Sequence, residues 1–368
     1  MKIFYCLNSL KIRGGLERVL CQKINYMVEK FGYDITLILT DQDENPYSYS
    51  LNSKINIINL KINYFENCDK KYIFRHFFNI KRYIKHLVKL KNIINKEKPD
   101  ILVSLGYEEH ILIPFLKKKD LLLIREFHIG KQKRFFLFNS FNKFFEKKLD
   151  IKIVLTNEDK ANRKSNCIVI NNPLPFDSKE VSTCKNKKII SIGRLDEQKG
   201  FDILIDVWRK VNEKHPDWIL EIYGEGSLRK ELQDKIDSLN LTDTLILKGN
   251  EKNIQLKYLE SSIYVMSSRY EGMPMVLLEA MSCGLPLVSF DCPCGPKDII
   301  KDGENGFLVK FGNIDEMAKK INYLIENEDK RIEIGKKSKE LSYNYSEEKI
   351  MKQWKELFEK MDYNERKS

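Results

Sequence analysis

The 368-residue chain carries 64 Lys and Arg against 53 Asp and Glu, a formal charge of +11. Hydrophobic residues make up 42% and charged residues 32%, which excludes wholesale disorder and favours a globular protein. The length suits two domains better than one. No run of about 18 apolar residues occurs, so no transmembrane helix is expected, and Met1–Cys6 reads as a strand rather than a signal peptide.

The charge is uneven. Residues 1–180 hold 33 bases and 20 acids, net +13, and the remainder nets −2. An anionic partner, whether nucleic acid, membrane or phosphorylated substrate, therefore belongs to the first half. The eight cysteines form no C-x-x-C pair, and only Cys292-Pro293-Cys294 brings two close in sequence. Reduced thiols are expected and no metal site.

In chain order, strands are expected at Lys2–Leu7, Asp34–Leu39, Ile55–Leu60, Ile101–Leu105, Leu121–Arg125, Ile151–Leu155 and Ile168–Ile170. They continue at Lys188–Ile192, Ile219–Tyr223, Leu245–Leu247, Ile263–Met266, Pro286–Phe290 and Gly306–Val309. Helical periodicity fills most gaps, as in Phe201–Glu213, Leu228–Leu239 and Ile314–Ile325. This alternation predicts parallel sheets covered on both faces. Turn-rich Asn171-Asn172-Pro173-Leu174-Pro175 opens a polar break over 171–187. The expectation is two doubly wound α/β domains, 1–175 and 186–345, facing a central cleft. Residues 346–368 form a C-terminal helix beyond the second strand set.

In such sheets ligands bind beyond the carboxyl ends of strands, so the loops there hold the candidate chemistry. After the first strand comes Arg13-Gly14-Gly15-Leu16-Glu17-Arg18. The glycine pair lets a ligand approach the backbone, and the following helix N-terminus offers N–H groups to an anion. Neither G-x-G-x-x-G nor the P-loop pattern is present. The second half opens on Gly193-Arg194-Leu195-Asp196-Glu197-Gln198-Lys199-Gly200, where two cations on one loop can converge on a diphosphate through charge-assisted hydrogen bonds. In Tyr270-Glu271-Gly272-Met273-Pro274-Met275-Val276-Leu277-Leu278-Glu279, Pro274 suits the first turn of a helix. Glu271 would then precede the helix and Glu279 lie about two turns along it. Carboxylates accept from vicinal hydroxyls, and the amides of Gly272 to Met275 suit phosphate.

Together these three motifs resemble the family 4 glycosyltransferases, and the resemblance spans nearly the whole chain. Gly284-Leu285-Pro286 and Asp302-Gly303-Glu304-Asn305-Gly306 fit its later segments. The resemblance implies the GT-B fold, an acceptor domain followed by a nucleotide-sugar domain, and a last helix crossing back onto the first. It implies retaining chemistry with no metal or other cofactor. It also implies that Arg194 and Lys199 hold the donor diphosphate, Glu279 binds the ribose, and Glu271 with Gly272, Met273, Pro274 and Met275 orients the sugar. Gly14 and Gly15 would lie by the phosphates. Gly193 would belong to the diphosphate loop, and the base would sit between Gly224-Glu225-Gly226 and Gly249-Asn250. A histidine on the acceptor side is also implied. His128, in Arg125-Glu126-Phe127-His128, and His110 are the candidates; relatives often have the Glu and His adjacent, whereas Phe127 intervenes here.

Asp41-Gln42-Asp43 matches the D-x-D of metal-dependent transferases of another fold, but lies in a turn-forming Asp-Glu-Asn-Pro context. The excess charge concentrates in 70–98, with ten bases and one acid, and in 131–148, where six phenylalanines sit among six bases. Basic amphipathic segments with aromatics suit an anionic membrane surface. The expected function is transfer of a hexose or N-acetylhexosamine from a nucleotide sugar, with UDP as the expected carrier, to a growing lipid-linked glycan of a surface polysaccharide. The expected location is the cytoplasmic face of the cell membrane. The rivals are a nucleotide-sugar epimerase of the same fold and a basic nucleic-acid-binding protein; for the latter no RNA or DNA module is recognisable, so nucleic acid is not an expected partner.

Overall fold

A computed structural model describes residues 1–11, 14–42, 47–64, 79–106, 112–128, 148–163 and 167–365. His110, Asp43, Arg13, most of 131–148 and the first part of 70–98 lie outside the described residues. The chain divides into two compact units. The first comprises Met1–Val154, Asn162–Ile170 and Met351–Ser368, and the second Leu155–Ala161 and Asn171–Ile350.

The first unit holds β1 (Lys2–Leu7), α1 (Gly15–Phe31), β2 (Asp34–Leu39), β3 (Asn56–Asn59), α2 (Ile80–Glu97), β4 (Ile101–Ser104), β5 (Leu122–Phe127), β6 (Ile151–Val154) and β7 (Ile168–Val169). Its sheet runs β3-β2-β1-β4-β5-β6-β7, every neighbour parallel. Strands covered on both faces need unbroken apolar runs, and β1, β2 and β5 are buried along nearly their whole length. The C-terminal helix, Glu347–Glu365, packs Trp354 and Phe358 into this unit. The Phe358 ring lies 6.3 Å from Tyr33.

After α3 (Asn157–Arg163), the second unit holds β8 (Lys188–Ile192), α4 (Phe201–Asn212), β9 (Ile219–Tyr223), α5 (Arg229–Ser238), β10 (Leu245–Gly249), α6 (Ile254–Leu259), β11 (Ile263–Met266), α7 (Met275–Ser282), β12 (Leu287–Asp291), α8 (Pro296–Ile299), β13 (Gly306–Lys310), α9 (Ile314–Glu326) and α10 (Glu328–Ser342). Its parallel sheet runs β10-β9-β8-β11-β12-β13. On one side pack Trp208, Ile205, Val211 and Met317, and on the other Tyr258, Tyr264, Leu277 and Met281. In each sheet the strand order reverses beside the first strand, between β1 and β4 and between β8 and β11, which is where such folds place ligands.

The division differs from the expected 1–175 and 186–345. Leu155–Ala161 joins the second unit because Asp298 Oδ1 accepts from the Asn157 backbone N–H and Nδ2, each at 2.9 Å, while Glu158 Oε2 accepts from Cys294 N at 2.9 Å. The polar stretch after Asn171 is likewise fastened to it, with Ser178 N donating to Ser282 Oγ at 2.8 Å. Residues 346–350 stay with the second unit, and the helix joins the first from Met351.

On α2 the apolar positions divide between two faces. His86, Leu90 and Ile94 are buried, whereas Ile80, Ile84 and Val88 form an exposed row at four-residue spacing. Apolar periodicity alone puts Ile80, Ile84 and Val88 on one stripe with Leu87 and Ile94. The buried face instead uses His86, whose Nδ1 lies 3.1 Å from the Tyr64 hydroxyl, a polar residue that such periodicity does not register.

Candidate active site

The loops after β8 and β11 flank the reversal point of the second sheet. The first, Gly193–Gly200, is held by Gly193 N donating to Tyr223 O at 3.0 Å and Leu195 N to Glu225 O at 2.9 Å. Asp196 caps the short turn Glu197–Lys199 by accepting from Lys199 N. Gly200 has φ +64, and a Cβ there would lie 2.3 Å from Ser267 O, so the glycine lets the loop run against the end of β11. Ser267 Oγ in turn donates to Lys199 O at 2.9 Å.

Lys199 Nζ donates to Glu271 Oε1 at 2.7 Å, and Ser268 Oγ donates to the same oxygen at 2.7 Å. Glu271 and Ser268 are both buried. Both of these donors fall on Oε1 of the carboxylate, and Lys199 neutralises its charge. Arg194 is different: its side chain is 73% exposed and meets Asp196 at 3.1 Å. The two loop cations thus have separate partners in this structure. Arg269 ties the loops together through paired bonds to Asp202 at 2.8 and 2.7 Å and one to Glu197 O at 2.8 Å.

Helix α7 begins at Met275, one residue later than expected. Pro274 has ψ 96, an extended conformation, and caps the helix rather than forming its first turn. Glu279 lies four residues, about one turn, into α7 rather than the expected two turns. It is 3% exposed, and its Oε2 accepts from the Tyr258 hydroxyl at 2.8 Å. Burial, then the Glu279 carboxylate, push the Tyr258 phenol well above its usual range, so it stays a donor. The turn Gly272-Met273-Pro274 is pinned by buried Met273 and by Gly295, where a Cβ would lie 2.4 Å from Pro274 Cδ and 3.3 Å from Gly272 O.

The loops after β9 and β10 meet directly. Gly224 N donates to Gly249 O at 2.8 Å, and the two residues form an isolated antiparallel bridge. Gly224 has φ +138, and a Cβ would lie 1.9 Å from Gly193 O, so Gly193, Gly224 and Gly249 assemble into one backbone surface, with Asn250 following it in the chain.

In the first unit α1 starts at Gly15 with Gly14 as its cap. The Glu17 carboxylate folds back toward Gly14: a Cβ on Gly14 would meet its Oε2 at 2.2 Å. The N-terminal turn is thus partly covered by the helix's own acid, and burial raises the Glu17 carboxyl above its ordinary value. β5 runs two residues beyond its expected end, so Glu126 lies within the strand. Because successive strand side chains alternate, Glu126 and His128 share a side, and His128 Nε2 lies 3.2 Å from Glu126 Oε2. Asp41 accepts from Asn63 N and from Tyr64 N, the latter at 2.9 Å, an engagement with backbone that fits a turn residue. Among the described residues no three His, Cys, Asp or Glu gather as a metal site, and no helix is long and apolar enough to cross a membrane. Ser268, Tyr258 and Arg269, which support the two glutamates and the loop, carry no motif signal of their own.

A family model described as "Glycosyl transferases group 1" matches residues 176–341. An uncharacterized glycosyltransferase of Haemophilus influenzae is 31% identical over 361 residues, covering 96% of this chain and 99% of the relative. The amylovoran biosynthesis glycosyltransferase AmsD of Erwinia amylovora is 28% identical, covering 97% and 99%. Among solved structures, a mutant of S. aureus TarM in complex with Fondaparinux, alpha-GlcNAc-glycerol and UDP superposes with a TM-score of 0.79 at 19% identity, covering 97% and 99%. The fold is GT-B.

Proposed function

We propose that this chain, which belongs to the group 1 glycosyltransferases, is a family 4 enzyme that moves a hexose or N-acetylhexosamine with retention from a UDP sugar to a lipid-linked glycan of a surface polysaccharide. The observation that carries the reading is the pair of buried, hydrogen-bonded glutamates beside the strand reversal, Glu271 under Lys199 and Ser268, and Glu279 under Tyr258. Relatives and neighbours that act in polysaccharide biosynthesis or hold UDP support it.

In this reading Glu279, held in place by Tyr258, takes the ribose hydroxyls. The backbone surface of Gly193, Gly224 and Gly249 meets the base and the inner phosphate. Arg194, exposed on its loop, swings onto the diphosphate, and Lys199 moves from Glu271 to the leaving phosphate as negative charge develops there. Placed cations stabilise that charge without a metal or other cofactor. Glu271, released from Lys199, accepts from a sugar hydroxyl, and the amides of Gly272 to Met275 serve the same ligand. His128, at the end of β5, serves the acceptor side. The exposed Ile80, Ile84 and Val88, flanked by Lys81, Lys85 and Lys91, suit peripheral contact with an anionic bilayer at the cytoplasmic face, where isoleucine and valine enter the headgroup boundary and lysines meet lipid phosphate.

The test is transfer from a UDP-sugar panel to a lipid-linked acceptor. Glu279→Ala and Arg194→Ala should each lower turnover by orders of magnitude while folding is kept. Near-wild-type transfer by either variant would overturn the site assignment. Conversion of the donor into another nucleotide sugar, without a new glycoside, would identify an epimerase instead.

A further inference from the structure

Beneath His128 lies a buried chain of polar groups that the donor site does not use. Glu126 is 3% exposed and can only accept when ionised. One of its oxygens takes the Lys23 ammonium and the other faces His128 Nε2 at 3.2 Å. Lys23 projects from α1 and is 2% exposed, with its Nζ 4.9 Å from the centre of the Tyr5 ring and 4.3 Å from that of Trp354 on the C-terminal helix. Burial opposes ionisation of Glu126, but Lys23 and His128 outweigh it and hold the carboxyl below its ordinary value.

A buried ion pair is a poor way to stabilise a core, since apolar groups of the same volume often do as well or better. Its geometric consequence is more specific. A carboxylate at Nε2 requires that nitrogen to carry the proton, which leaves Nδ1 of a neutral ring as the acceptor. Lys23 fixes which oxygen of Glu126 faces the ring, and the Tyr5 and Trp354 rings fix Lys23.

We propose that Lys23 and Glu126 are positioning residues that hold His128 in the Nε2–H form and present Nδ1 to a hydroxyl of the acceptor. The inference rests on the reading of His128 as an acceptor-side residue and adds its tautomer, its working nitrogen and the two side chains that set them. The same arrangement makes the C-terminal helix, through Trp354, part of the support of the acceptor side.

The experiment is 15N NMR of the histidine rings in the full-length protein, combined with transfer kinetics. Wild type should show His128 with Nε2 protonated. In Glu126→Gln the amide oxygen turns to Lys23, which can only donate, and the NH2 faces Nε2. The ring proton then moves to Nδ1, and transfer falls about 100-fold or more, with UDP affinity kept. An unchanged tautomer in Glu126→Gln, or an inverted one with near-wild-type transfer, would overturn the proposal. A second pair leaves the Lys23–Glu126 contact alone. His128→Asn places an amide atom where Nδ1 was and His128→Gln where Nε2 was, so Asn should keep more transfer than Gln; the reverse order would also overturn it. Near-wild-type transfer by His128→Ala would instead defeat the underlying reading of His128, while an inactive His128→Ala beside an active, tautomer-inverted Glu126→Gln would defeat the positioning alone.

Discussion

Gly224→Ala probes the backbone surface where three loops meet. The new Cβ would stand 1.9 Å from Gly193 O, whereas real Cβ atoms essentially never approach under 3.0 Å. The two loops must therefore separate by more than 1 Å. The neighbour is backbone, so no side chain can swing away. A residue with φ +138 adds strain of about 1–3 kcal/mol. Separation also strains Gly193 N to Tyr223 O and Gly224 N to Gly249 O, each contributing roughly 0.5–1.5 kcal/mol. The total is about 2–6 kcal/mol, and at about 2–4 °C per kcal/mol for a unit of this size the melting temperature should fall by roughly 5–20 °C. Gly312→Ala is the control: φ is +80 there too, but nothing lies within 4 Å of the added Cβ. Calorimetric titration with UDP should show at least about a 10-fold loss for Gly224→Ala and none for Gly312→Ala. Equal melting temperatures and equal UDP affinities for the two variants would refute the reasoning.

Tyr258→Phe deprives buried Glu279 of its 2.8 Å donor. A hydrogen bond to a charged group contributes about 1.5–3 kcal/mol, so UDP affinity and thermal stability should both drop, and a silent variant would count against Tyr258 as a support of that carboxylate. Arg269→Ala releases Asp202, whose carboxyl Arg269 holds below its ordinary value. A depressed acid contributes stability above its unfolded value near 4 and loses it as pH falls through the folded value. Urea midpoints between pH 3 and 6 should therefore depend less on pH in the variant, by under about 1 kcal/mol because the pair is partly exposed; an unaltered profile would contradict the assignment. Replacing Ile80, Ile84 and Val88 with Ser should lower sedimentation with anionic liposomes and spare UDP binding, and equal loss of both would mean that the row supports the fold instead.

The parallel strands were legible because burial on both faces forces short apolar runs between turn residues, and Lys2–Leu7, Asp34–Leu39, Lys188–Ile192, Ile219–Tyr223 and Ile263–Met266 match residue for residue. The loops after β8, β9 and β11, proposed to take the donor, were legible as candidates because glycines and charged residues after strands leave a pattern that single side chains do not. The partners were less so. Lys23 sits in α1 more than 100 residues before Glu126, and a lysine there reads as one more surface base until the strand direction and the C-terminal helix bury it. Phe127 looks like an interruption of a Glu-His pair, whereas two-residue spacing on a strand is what brings Glu126 to His128. The start of α7 was less legible because proline is compatible both with a first turn and with an extended cap, and Pro274 takes the extended form at ψ 96.

Glycosyl transfer with retention from a uridine-diphosphate sugar is tested most directly by proton NMR of the product formed from an α-linked UDP sugar and a lipid-linked acceptor, with UDP release followed in the same tube. The expected result is UDP in equal amount to a new α-glycoside, both lost in Glu279→Ala. A β-linked product, or a new nucleotide sugar without any glycoside, would contradict it.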